Sequence, residues 1–195
     1  LARGALIDVL FRQLVTTGRV DAPMEDGIAG LRVDGRQGDL LAFIEHLSEA
    51  DRALLSEEVT HQARVLADRW PTLANGWLPR TQERITIPLA GGAVVLSGVI
   101  DLVVGTPSSG RASTGLIEVK SGRRSPEHRA DVHYYALLET LRSGAPPFRV
   151  ATYYTATGEI DAEEVTEELL IASVQRTIDC LAGIANALAP ATGAA

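Results

Sequence analysis

Two short runs decide how this chain is read: Gly98-Val99-Ile100-Asp101 and, after a polar loop, Leu116-Ile117-Glu118-Val119-Lys120-Ser121. Each is an apolar, β-type run that carries an acid, and the second adds a lysine two residues after its acid. On a strand, residues i and i+2 point to the same face. Glu118 and Lys120 therefore share a face, while Ile117 and Val119 turn into the core. With the strand of Asp101 alongside, two carboxylates and one ammonium meet at a sheet edge. That set is the minimum for holding Mg²⁺ on a phosphodiester and activating a water beside it.

The alternating pattern extends on both sides. Residues 81–89 read as a strand, Ala90-Gly91-Gly92 as a hairpin turn and 93–104 as its partner. Residues 106–113 form a polar loop, and 114–121 a third strand. Ser125 then offers an N-cap and Pro126 a first helical position, which predicts a helix to about Arg142, ended by Gly144 and Pro146-Pro147. Residues 148–155 are a fourth strand, and Thr157-Gly158 turns towards a short fifth near Ile160. A last helix starts at Thr166, with Leu170, Val174, Ile178, Leu181 and Leu188 on one stripe. Residues 189–195 read as a frayed tail.

Upstream, residues 4–17 read as an amphipathic helix with Leu6, Val9, Leu10, Leu14 and Val15 on one face, stopped at Gly18. Residues 19–36, rich in glycine and charge, read as a loop. Residues 37–47 read as a second helix. Ser48 caps a third that runs to about Arg69, before Trp70-Pro71. A connector covers 72–79, and no internal repeat is visible. Helices, three strands, a helix, two strands and a helix make an α/β fold of the mixed α+β kind. Its sheet of about four to five strands is mostly antiparallel and flanked by helices.

A chain of 195 residues predicts a single domain, with a helical part (1–79), a sheet and crossover helix (80–165) and a C-terminal helix (166–189). The lone Cys180 excludes a disulfide framework within one chain and a Cys-rich zinc site. No apolar run is long enough to cross a bilayer and no signal peptide is visible, so a cytoplasmic location without a membrane partner is expected. A segment upstream of Leu1 stays open. The net charge of −7 argues against a strong nonspecific nucleic-acid binder. It leaves room for an enzyme that meets a backbone through a metal and a local basic patch. Arg123, Arg124, His128 and Arg129, just after Lys120, form the densest such patch.

The pair Gly98-Val99-Ile100-Asp101 and Glu118-Val119-Lys120, followed by a helix carrying Tyr134-Tyr135-Ala136-Leu137-Leu138, resembles the RecB-like branch of the PD-(D/E)XK nuclease superfamily. That branch presents G-x-(I/V)-D on one strand, E/D-x-K on the next and Q-x-x-x-Y-A-L on the helix after them. Glu83 stands on the preceding strand, where the branch often has a glutamate. The resemblance covers about residues 80–154. It implies a restriction-endonuclease-like core, hydrolysis of DNA phosphodiester bonds with Mg²⁺ or Mn²⁺, and a place in DNA repair, recombination or defence, with a separate helicase or repair protein as a partner. Two positions depart from the pattern. The branch usually carries a histidine on the first helix after G-x-x-x, whereas here Gly4-Ala5-Leu6-Ile7 is followed by Asp8. A carboxylate suits a hard cation better than imidazole, so Asp8 is either a metal ligand or a surface aspartate. The helix glutamine is replaced by Asp131, four residues before Tyr135.

Chemical roles follow from residue type. Asp101 and Glu118 would ligate the dication, with the Val119 carbonyl and Asp8 as further candidates. Lys120 would orient the water or neutralise charge on the phosphate; acting as a base would need a depressed pKa, which the adjacent acids oppose. Tyr135 would brace Lys120 or touch the substrate. Arg123 and Arg124 would clamp neighbouring phosphates, and Asp131 would stand on the substrate side. His46 and His61 are isolated, His133 reads as a surface residue, and Trp70 and Trp77 as packing residues. Gly91-Gly92 belongs to a turn and not to a phosphate loop. The rival reading is an inactive nuclease-fold module that binds nucleic acid or a protein. An RNA-directed nuclease is a weaker third, because nothing in the sequence reads a 2′-hydroxyl.

Overall fold

The computed structural model describes residues 1–35, 37–106 and 111–188. The expected tail at 189–195 and part of the polar loop lie outside them. Strands β1 (Arg80–Leu89), β2 (Val94–Gly105), β3 (Thr114–Lys120), β4 (Arg149–Tyr154) and β5 (Glu159–Glu164) form one sheet in that order. Only β3 and β4 run parallel; the other three pairings are antiparallel. A parallel pair needs a long crossover, and here helix α5 (Pro126–Ser143) supplies it. With six helices among the described residues, the fold is mixed α/β around a mostly antiparallel five-stranded sheet.

The N-terminal helices are α1 (Ala2–Thr17), α2 (Pro23–Asp34), α3 (Gly38–Glu45) and α4 (Glu49–Arg69). Helix α2 corrects the expected loop at 19–36. Its glycines are contact residues: a Cβ on Gly30 would lie 2.2 Å from Val9 Cγ1, and one on Gly27 2.8 Å from Leu6 Cδ2. They let α2 sit directly on α1, and Met24, Ile28 and Leu31 close that small core.

Two apolar layers sandwich the sheet. On one face, Val132, Ala136 and Leu138 of α5 pack on Ile85, Leu96, Ile100, Val103, Leu116 and Val150. On the other, Phe11, Leu14 and Leu66 pack on Leu102, Val104 and Tyr153. Trp70 stands edge-on between Phe11 and Tyr153, with ring centroids 4.8 and 4.9 Å away. Trp77, by contrast, is 50% exposed and packs less than expected, lying in a short 3₁₀ turn of the connector. Helix α6 (Glu167–Leu188) is seated against α5, where buried Ser173 donates to the His133 carbonyl at 3.1 Å. Leu170 of the expected apolar stripe packs against the sheet core, while Val174, Ile178 and Leu188, with Ile171 beside them, remain exposed.

One irregularity positions the site. Strands β2 and β3 pair only from Leu102 to Gly105, against Ile117 to Thr114. Beyond that, β2 stays with β1, and β3 continues with β4 to Lys120 and Tyr154. A fork therefore opens in the sheet where Asp101 and Glu118 stand. Ile100 packs on the α5 side and Leu102 on the α1–α4 side. Residues two apart on a regular strand share a face, so the ribbon rolls over at Asp101.

Candidate metal and active site

The mouth of the fork is closed by side chains. Asp101 Oδ2 accepts from the Val119 N–H at 2.8 Å, replacing the ladder bond that the split removes. Lys120 Nζ donates to Glu118 Oε1 at 2.8 Å and to Asp131 Oδ2 of α5 at 3.0 Å. Glu118 and Lys120 share a face, as the two-residue spacing requires. Asp8 arrives from α1, one turn after Gly4, where a Cβ would lie 3.2 Å from Ser121 Oγ. Asp8 Oδ1 and Asp101 Oδ1 are bridged by a single group, the Gln82 amide, whose Nε2 is 3.1 Å from each. Arg12 holds the other oxygen of Asp8 at 3.3 Å.

The electrostatics is that of an acidic cluster short of positive charge. Burial, then the charge of Asp101, pushes Glu118 up to about 8. Burial, then Asp101, raises Asp8 to about 6 against the opposing pull of Arg12. Asp101 is also raised by burial, although the Val119 N–H and Lys120 work the other way. Burial alone would lower Lys120, but its bonds to Glu118 and Asp131 outweigh that and raise it. The amine is therefore locked in its charged form, unsuited to act as a base. Burial, followed by the charges of Glu118 and Asp101, raises Tyr135 as well.

Glu118 Oε2 is buried and receives no N–H donor, and the Glu118 and Asp101 side chains are hydrogen-bonded to each other through a proton that one of them keeps. Two buried acids forced to share a proton beside a third desolvated carboxyl are a costly arrangement for a folded chain by itself, and the set fits a hard dication. No group of three or more His, Cys, Asp or Glu among the described residues is arranged as a ready metal cage. Mg²⁺ keeps several waters and takes one or two carboxylates, which Asp101 and Glu118 can provide.

The other expected residues are placed as follows. Val119 joins through its N–H and lines, with Asp8, Lys120 and His128, a cleft of about 280 Å³. A second cleft of about 410 Å³ shares Ser121 and Gly122 with the first, and Arg3, Arg123 and Arg124 line it. Arg123 is exposed. Arg124 lies 5.4 Å over the Tyr154 ring and is ion-paired with Asp161 and, at 3.7 Å, with Glu159 of β5. Arg129 is forked onto Glu163. Much of the expected basic patch is thus neutralised by β5. Tyr135 packs against Gly98, where a Cβ would lie 2.8 Å from its Cε1. Among the described residues it makes no hydrogen bond, so the expected brace on Lys120 is not formed. Glu83 stays out of the cluster and is paired with Arg142 at 2.6 Å. His133 is buried, 2.6 Å from Glu163, and is not the surface residue expected.

Two residues escaped the sequence reading. Gln62 of α4 donates to the Ser121 carbonyl at 3.3 Å and accepts from Thr155 Oγ1 at 2.8 Å, pinning the loop after Lys120. Gln82 was traceable: counting the hairpin back from Leu89↔Val94 sets it opposite Asp101.

No family model and no curated protein matches the chain. A solved structure described as "Crystal structure of SSO0001" is similar at a TM-score of 0.33 and 14% identity, over 98% of this chain and 84% of that one. No helix among the described residues is long and apolar enough to cross a membrane.

Proposed function

We propose that the chain is a metal-dependent nuclease of the RecB-like PD-(D/E)XK type, hydrolysing DNA phosphodiester bonds with Mg²⁺ or Mn²⁺. One observation carries the reading: the buried acids Asp101 and Glu118 share a proton in a fork that also holds a protonated Lys120, a place a dication can take over from that proton. Asp101 and Glu118 would hold the dication, with Asp8 near enough to join through the Gln82 bridge. The bound ion would supply a more acidic water and neutralise charge on the phosphate. Lys120, kept charged by Glu118 and Asp131, would offset negative charge developing on the phosphate and orient the attacking water. Asp131 takes the place of the branch's glutamine by fixing the direction of Lys120 Nζ. A role in repair, recombination or defence beside a separate helicase or repair protein, in the cytoplasm, belongs to the same proposal. The rival, an inactive module that binds a protein partner, draws on the exposed apolar residues of α6.

The test combines calorimetric titration of Mg²⁺ and Mn²⁺ with cleavage of linear and circular DNA, for the wild type and Asp101→Ala. Binding and cleavage that the variant loses support the nuclease. Absence of both in the wild type leaves the module. Equal cleavage by both proteins points to a contaminant and removes the assignment. RNA oligonucleotides in parallel settle the sugar.

A further inference from the structure

Gln82 occupies a backbone conformation that its side chain disfavours. Its φ is +54°, inside a strand that is otherwise in register. L-residues avoid that region because Cβ crowds the carbonyl, and such outliers persist where the surroundings over-determine them. Thr81 pairs with Leu102 and Glu83 with Ile100, so Gln82 sits opposite Asp101 at the roll of the ribbon. The unusual φ accompanies an amide that reaches both Asp8 and Asp101.

The polar bookkeeping around these acids is nearly complete. Asp8 gives one oxygen to Arg12 and the other to Gln82. Asp101 gives one to the Val119 N–H and the other to Gln82. Asp8 and Asp101 repel one another, and Gln82 is the group that donates to both. An arginine or lysine there would hold the acids equally well but would add charge and compete with a dication. An amide supplies N–H donors without formal charge, and each carboxylate oxygen it touches keeps a second lone pair.

We infer that Gln82 is a positioning residue of the metal site: its strained backbone aims an uncharged amide that holds Asp8 and Asp101 together for a dication. The inference rests on the proposed function and adds Asp8 to the site through Gln82.

The test measures Mg²⁺ and Mn²⁺ affinity by calorimetry and melting temperature without metal, for wild type, Gln82→Met and Gln82→Gly. Gln82→Met keeps the side-chain length and loses the donor; Gln82→Gly loses the donor and relieves the strain. Both variants are expected to bind metal at least about tenfold more weakly, the range for removing a group that orients a ligand. Gln82→Gly is expected to melt above Gln82→Met. If Gln82→Met does not fold, Gln82→Gly alone gives the affinity comparison. A smaller loss of affinity in a folded variant, with the wild type binding, overturns the role of Gln82 and leaves the nuclease reading standing. A wild type that binds neither metal overturns both.

Discussion

Replacing Glu118 with glutamine is expected to make the metal-free chain more stable at alkaline pH. Glu118 is 8% exposed, and burial together with Asp101 raises it from the ordinary 4.5 to about 8. Below pH 4.5 the carboxyl is protonated whether the chain is folded or not. Between 4.5 and 8 the unfolded chain releases the proton and the folded chain keeps it. The raised value therefore contributes stability that is fully present below pH 4.5 and is lost as pH rises through 8. The two plateaus differ by on the order of 5 kcal/mol, a large share of a domain's total stability. Lys120 stays charged across this window and adds no slope of its own. Glutamine has no proton to lose, and its carbonyl can still accept from Lys120. In urea denaturation with a chelator present, the stability gap between Glu118→Gln and wild type should widen by several kcal/mol between pH 4 and pH 9. Mg²⁺ at pH 8 should then narrow the gap by stabilising the wild type alone through mass action. A gap that changes by less than about 1 kcal/mol across the range would refute the claim that Glu118 is desolvated beside a second acid.

Lys120→Ala should lower cleavage about 100-fold or more in single-turnover assays while metal still binds in calorimetry, since the ammonium is no ligand. Gly98→Ala sets a Cβ 2.8 Å from Tyr135 Cε1 and 3.0 Å from Leu138 Cδ1. Such overpacking should cost about 1–3 kcal/mol, read as a lower denaturant midpoint. Arg142→Leu strips the ion pair from Glu139, which is 0% exposed and already has one unpartnered oxygen. The chain should lose about 3–5 kcal/mol in thermal melts, with Mg²⁺ affinity unchanged because this network is separate from the fork.

What the sequence made legible was whatever depends on short-range period. The hairpin at Ala90-Gly91-Gly92 closes with Leu89 opposite Val94, as alternation and turn residues require. Ser125-Pro126 starts α5, with Ser125 accepting from the Glu127 N–H. Glu118 and Lys120 meet because strand residues two apart share a face. What stayed hidden depends on partners distant in the chain. Gly27 and Gly30 looked like loop residues because their use, close contact with Leu6 and Val9, is set by α1. Arg124 and Arg129 looked free because the carboxylates that hold them, Asp161 and Glu163, are fixed by how β5 lies along β4. The stripe on α6 reported an apolar face without reporting whether a neighbour covers it. Asp8 reached the acidic cluster, but through a glutamine whose left-handed backbone no local pattern announces.

Strand β5 has a consequence for behaviour in crowded solution. It is the outermost strand on its side of the sheet, and its sequence, Glu-Ile-Asp-Ala-Glu-Glu, is rich in carboxylates. An open strand offers backbone donors and acceptors to any passing chain. Here each carboxylate of the strand is held by a cation of the same chain, Arg124, Arg129, His133 or Arg149. A second molecule attempting that pairing would have to displace water from a row of charged side chains, so growth of a continuous ribbon from one molecule to the next is opposed from the start. The protection lies in the hydration of those ion pairs, so replacing Arg124, Arg129 or Glu163 by apolar residues is where that resistance to clumping would first be lost.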